Sequence, residues 1–116
     1  MQLRFFLAGI LAAMVGQTAT AEWFDGGTLH RATVQEWNDR GYSGYNDKLA
    51  TSADWYITIV GQRAVLKRGS MDAIKPDVRR LMSCVDNAAY DVPASKARQT
   101  AVASLAASCA TKLGLL

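Results

Sequence analysis

The chain has little of what marks a catalytic or metal centre by sequence. It holds one histidine, His30, among 116 residues, so neither a multi-histidine metal site nor a dyad of histidines is open to it. Its two cysteines, Cys84 and Cys109, lack the C-x-x-C spacing, which excludes the common zinc frameworks and thioredoxin-like redox chemistry. No G-x-S-x-G sequence supplies a nucleophile on a sharp turn. Charge is mild: thirteen Lys plus Arg face ten Asp plus Glu. The cations are spread among the acids, which does not fit a nucleic-acid-binding face. The one long apolar run, Leu3 to Val15, falls short of the ~20 residues that a membrane-spanning helix needs.

That run is nonetheless informative. Residues 1–21 combine an early cation (Arg4), the apolar stretch and the small-residue ending Ala19-Thr20-Ala21, the layout of a secretory signal peptide cut before Glu22. No lipid-anchor cysteine follows. The expectation is an exported chain, periplasmic or alternatively secreted, whose residues 22–116 form a single helical domain. Without Arg4 the excess of basic residues is two. In an oxidising compartment an even cysteine count reads as a structural bridge. Pairing Cys84 with Cys109 closes a loop that contributes about 3 kcal/mol on the chain-entropy estimate. Two buried thiols, or a bridge between chains, are the alternatives.

Local signals predict helices. Thr33-Val34-Gln35-Glu36 fits a capping box opening a two-turn helix through Asp39, stopped by Gly41. The stretch "GYSGY" (41–45) reads as a loop, after which Asn46 is the expected cap. Leu49, Ala53, Tyr56, Ile57, Val60 and Ala64 recur at helical spacing. The β-branched Thr58-Ile59-Val60 leaves a strand as the minor alternative. Gly61 weakens that helix, and Gly69 is its expected stop. Ser70 is expected to cap one turn through Ile74, with Pro76 opening a fresh helix. Val78, Leu81, Met82, Val85, Ala88 and Ala89 then make a buried stripe. Asp91-Val92-Pro93 interrupts it, and a last helix is expected from Ala94 or Ser95 to Leu113, with Val102, Leu105, Ala106, Cys109 and Leu113 on one face. The fold class is all-α: a small irregular bundle of three main helices plus a short N-terminal one, clamped by one disulfide.

The bridge constrains the arrangement. In a tight hairpin turning near Val92, Cys84 lies eight residues before the turn and Cys109 seventeen after it, an axial mismatch of roughly 13 Å. Disulfide geometry allows Cα atoms only about 4.4–6.8 Å apart. An extended connection through residues 89–96 or a steep crossing must absorb the difference.

Chemistry is thin. His30 and Glu36 lack the i, i+4 spacing of helical metal ligands, so His30 reads as a surface or packing residue. Glu36, Asp39, Asp47 and Asp54 are the acids from which a carboxylate-dependent hydrolase would be built. Asp54 stands out because Trp55 beside it favours a raised pKa. "KRGS" (67–70) sets two cations before a helix start but is far from a phosphate loop. Two surfaces suit a protein partner. Tyr42 and Tyr45 in the glycine loop can act as aromatic anchors. Arg63, Lys67, Arg68, Lys75, Arg79 and Arg80 face only Asp72 and Asp77 and can meet an acidic partner or phospholipid surface.

In its signal peptide, cysteine pair, "TVQEW" helix start and "KPDVRRLMSC" segment, the chain resembles small exported helical proteins, namely the HdeA-like acid-stress chaperones and periplasmic immunity proteins. The cysteine that the chaperone pattern places in the first helix is Val34 here, so only the disulfide itself carries over. The leading expectation is a non-enzymatic periplasmic protein that binds another protein as an inhibitor or immunity-type factor. An acid-stress chaperone and a small carboxylate hydrolase are the alternatives. No cofactor, metal or nucleic acid is expected, and no integral membrane segment after cleavage. The sequence leaves the oligomeric state open.

Overall fold

The computed structural model describes residues 22–116; the proposed signal peptide lies outside them. Thr33 caps the first helix, α1 (Val34–Arg40), as its sequence predicts: its hydroxyl accepts from Glu36 N while the Glu36 carboxylate accepts from Thr33 N. Gly41, at φ +53°, stops it. The "GYSG" stretch is a 3₁₀ turn rather than an open loop, running Gly41–Gly44 straight into α2 (Tyr45–Ile59). Asn46 therefore lies inside α2 and caps nothing. Gly44 permits this continuity, because a Cβ there would come within 2.5 Å of Arg40 Cβ.

The long amphipathic pattern divides at Gly61, whose φ of +106° is a conformation that side chains avoid. Beyond it come α3 (Gln62–Arg68), ended by left-handed Gly69, and α4 (Met71–Tyr90). The expected fresh start at Pro76 does not occur, and α4 is continuous through it. Pro76 is exposed, so the backbone bond it forgoes is on the solvent side, while fully buried Ile74 and Val78 hold both flanks to the core. Ser70 Oγ caps Ala73 N, and Arg68 donates to the Ala73 carbonyl, so this first turn is secured by side chains.

The last predicted helix is also two elements, α5 (Ala94–Ala97) and α6 (Val102–Lys112). Nothing in Arg98–Ala101 breaks a helix by composition. The chain leaves helix because it pairs with the approach to α1, where Val34 N donates to Thr100 O (2.8 Å) and Val102 N to Ala32 O (3.0 Å) around a Thr33–Ala101 bridge. Two pairings with a distant segment outweigh local propensity. No strand forms among the described residues beyond this isolated bridge.

The break also solves the disulfide register. Cys84 lies six residues before the end of α4 (84 to 90) and Cys109 seven after the start of α6 (102 to 109). The bridge forms with a Cα separation of 5.9 Å. The slack lies in residues 91–101, further along than the expected 89–96. The fold is thus the expected all-α irregular bundle with three longer helices, α2, α4 and α6, clamped once. α4 packs most extensively on α6 and α2, around Val34, Trp37, Leu81, Val85 and Val102. No helix among the described residues is long and apolar enough to cross a membrane.

The clamp gives a direct test. Replacing both cysteines by serine is expected to lower unfolding stability by about 3 kcal/mol, read as a fall in urea midpoint. An unchanged midpoint would show that α4–α6 packing needs no cross-link.

Candidate functional site

α2 is buried on nearly all sides, and Lys48 through Ala53 form an unbroken buried run. Its small residues let the flanking elements approach closely, while Lys48 places a cation inside the protein. Burying an unpaired ammonium is costly, and three groups offset that cost. Lys48 Nζ lies 5.1 Å from the Trp37 ring centroid and 3.1 Å from Asp86 Oδ1. The same oxygen accepts from Trp37 Nε1 at 2.8 Å. Trp37 in turn stacks on Trp55 at 5.5 Å, and Asn38 Nδ2 donates to the Ala89 carbonyl. α1, α2 and α4 therefore meet at one polar centre with an aromatic wall.

Above that centre opens a groove of about 450 Å³ between the 3₁₀ turn and the C-terminal half of α4. Tyr42, Tyr45 and Tyr90 stand around it, and Ser83, Asn87 and Asn38 supply polar contacts. Tyr42 is 99% and Tyr90 84% exposed. The two sequence-flagged tyrosines thus share one site. Tyr90, Lys48 and Asp86 were missed. The signal for Tyr90 was its register, since Ser83, Asp86, Asn87 and Tyr90 recur on α4 at three- and four-residue steps. A second depression, lined by Arg80, Lys112, Asp91 and Cys84, adjoins the first across the Ser83–Asn87 ridge.

Half of the basic segment's cations are engaged by neighbouring groups. Arg68 pairs with Asp77 at 2.8 Å, and Arg80 approaches the other Asp77 oxygen at 3.4 Å. Lys75 sits over Trp23, whose indole N–H donates to Asp72. Arg63, Lys67 and Arg79 are exposed and make no ion pair among the described residues. Burial of Tyr56 raises its pKa, and repulsion from the nearby Asp77 carboxylate adds to the rise.

The acids considered for hydrolysis are dispersed. Glu36 closes the capping box, and Asp39 accepts from Gln35 Nε2. Asp54 meets His30 Nε2 at 2.6 Å, both half-exposed. His30 thus has the carboxylate partner that its own neighbourhood in sequence did not reveal, though neither residue lines the tyrosine groove. Asp47 anchors the chain leading into α1: it accepts from Thr28 N (2.7 Å), the Thr28 hydroxyl, Arg40 Nη2 (2.9 Å) and Thr51 Oγ1. Nearby, Gly27 lies so close to Thr51 that a Cβ would fall 2.6 Å from its backbone nitrogen. No group of three or more potential metal ligands occurs among the described residues.

Comparison with protein-family models, curated proteins and solved structures finds no match to this chain. The functional reading therefore rests on the site itself.

Asp47 supplies a pH test. Desolvation pushes its pKa up, but the Thr28 hydrogen bonds, the Arg40 charge and Thr51 outweigh it, so the pKa lies below the ordinary 3.8. A carboxylate depressed in the folded state stabilises fully above its unfolded value, and that contribution is lost as pH falls through the folded value. Asp47→Asn is expected to cost about 1–2 kcal/mol at pH 7 and less at about pH 3, because the carboxylate's contribution shrinks as the pH falls toward its lowered folded value. A gap of equal size at both values, in urea unfolding, would contradict this role.

Proposed function

We propose that this chain is an exported, non-enzymatic protein that acts by binding another protein, through the tyrosine groove between α4 and the 3₁₀ turn. The observation that carries the reading is the groove's make-up. Three of the chain's four tyrosines converge on it, interspersed with Asn38, Gly41, Ser83 and Asn87. Tyrosine gives large amphipathic contact area at small entropy cost, and Ser, Gly and Asn give adaptable hydrogen bonds; this is the composition that antibody loops use to hold proteins. Tyr42 and Tyr90 are largely exposed, so little of either ring is spent on packing among the described residues.

The signal-peptide layout of residues 1–21 and the Cys84–Cys109 bridge support a periplasmic location, or secretion. An inhibitor or immunity-type factor fits such a rigid, disulfide-held surface. The adjoining depression with Arg80 and Lys112 extends the contact area.

An acid-stress chaperone is the second reading, favoured by the number of aspartates that tie separate segments. Asp47, Asp54, Asp72 and Asp86 each hold a side chain or backbone group 7 to 49 residues away. Protonating them at low pH would loosen the N-terminal half while the disulfide holds α4 to α6. Protection of a client from aggregation at pH 2–3 is its test, and absence of protection removes it.

For the leading reading, capture from periplasmic extract is to be repeated with Tyr42→Ala and Tyr90→Ala. Both residues are exposed, so stability is expected to change by no more than about 0.5 kcal/mol. Partner affinity is expected to fall about 30-fold for at least one of them. Full partner recovery with both variants would remove this groove as the binding surface.

A further inference from the structure

We infer that the tyrosine groove receives an arginine side chain presented by the partner protein; this deepens, and rests on, the protein-binding reading. At the groove floor, Asp86 uses one oxygen twice: Oδ1 accepts from both Trp37 Nε1 and Lys48 Nζ. Oδ2 accepts no hydrogen bond among the described residues, and the side chain is 42% exposed. The groove therefore has an open carboxylate oxygen, whereas the neighbouring cation is committed: the Lys48 side chain is only 9% exposed and lies between Trp37 and Asp86.

Asp77 shows the same motif completed within this chain. One of its oxygens takes Arg68 at 2.8 Å, and the other faces Arg80 at 3.4 Å. A carboxylate in this protein thus bridges two cations, one per oxygen. Asp86 has the first cation in place and its second oxygen vacant.

The surroundings select the kind of cation. Phenol rings present electron-rich faces that attract cations, and three of them border this groove. A guanidinium is flat, weakly hydrated and stacks on such faces, whereas an ammonium is compact and strongly hydrated. Apolar Met82 at the groove floor suits the methylene stem of an arginine. An anionic group would meet the open Asp86 oxygen with no free cation beside it, so charge complementarity favours arginine.

The test is an NMR titration of the purified protein with acetyl-Gly-Arg-Gly-amide, alongside the lysine and citrulline counterparts. Citrulline keeps the shape of arginine and removes its charge. Saturable shifts are expected at the rings of Tyr42, Tyr45 and Tyr90 and at Asp86. Citrulline is expected to bind at least about fivefold more weakly, with lysine between the two. Tyr90→Ala is expected to weaken arginine binding without lowering the melting temperature. Asp86→Asn should abolish the preference for arginine over citrulline; because that variant also strands Lys48, its fold is checked by melting, and the citrulline comparison on the unaltered protein stands without it. Equal binding of arginine and citrulline peptides, or shifts away from the groove, would overturn the inference. If Tyr42→Ala still loses a captured partner while arginine shows no selectivity, the arginine assignment fails and protein binding through the groove survives.

Discussion

The interaction on which the other features depend is the contact of the Lys48 ammonium with the Trp37 ring and the Asp86 carboxylate. A cation 7% exposed inside a chain of this size is tolerable only if every partner is in place. Those partners come from different helices: Trp37 from α1, Lys48 from α2, Asp86 from α4. Each helix is thereby fixed in register with the other two, because sliding any one of them by a turn would strand a charge or an indole N–H. The same constraint shapes the surface. With Asp86 turned to serve Lys48 and Trp37 through one oxygen, its second is left at the base of the groove, and the α2 start that carries Lys48 also carries Tyr45 to the rim.

A second constraint acts on the far side of α4. The disulfide fixes α6 against α4, and the short pairing of residues 32–34 with 100–102 fixes the start of α6 against the approach to α1. α4 is consequently held on one face by covalent and apolar contacts and on the other by the polar centre. The groove borders the side of α4 that the described residues leave exposed. A surface fixed by both kinds of contact loses little freedom on binding, which favours affinity.

What the sequence made legible was local. The Thr33–Glu36 capping box, the stop at Gly69, the buried stripe of α4 and the pairing of the only two cysteines all follow from neighbours in the chain or from a single geometric bound. The misses depend on partners far away in sequence. Lys48 reads as a solvent-facing cation unless Asp86, 38 residues on, is known to meet it. His30 has no partner until α2 brings Asp54, 24 residues away, beside it. Arg98–Ala101 reads as helix until Ala32 and Val34 compete for its backbone. Pro76 reads as a helix start until Ile74 and Val78 are seen to be anchored on both sides of it. Tyr42 and Tyr45 were legible as exposed aromatics because glycines flank them. Tyr90 was not, because only tertiary packing brings the end of α4 opposite the 3₁₀ turn.

The most direct measurement is a double-mutant cycle on Lys48 and Asp86, using Lys48→Met, Asp86→Asn and the pair, followed by urea unfolding. If the polar centre organises the three helices, Asp86→Asn alone is costly because it leaves a buried ammonium unpaired, and Lys48→Met relieves that cost. The expected coupling is about 1–3 kcal/mol, with the double variant more stable than the sum of the single losses implies. Strictly additive losses would contradict the central role given to this contact.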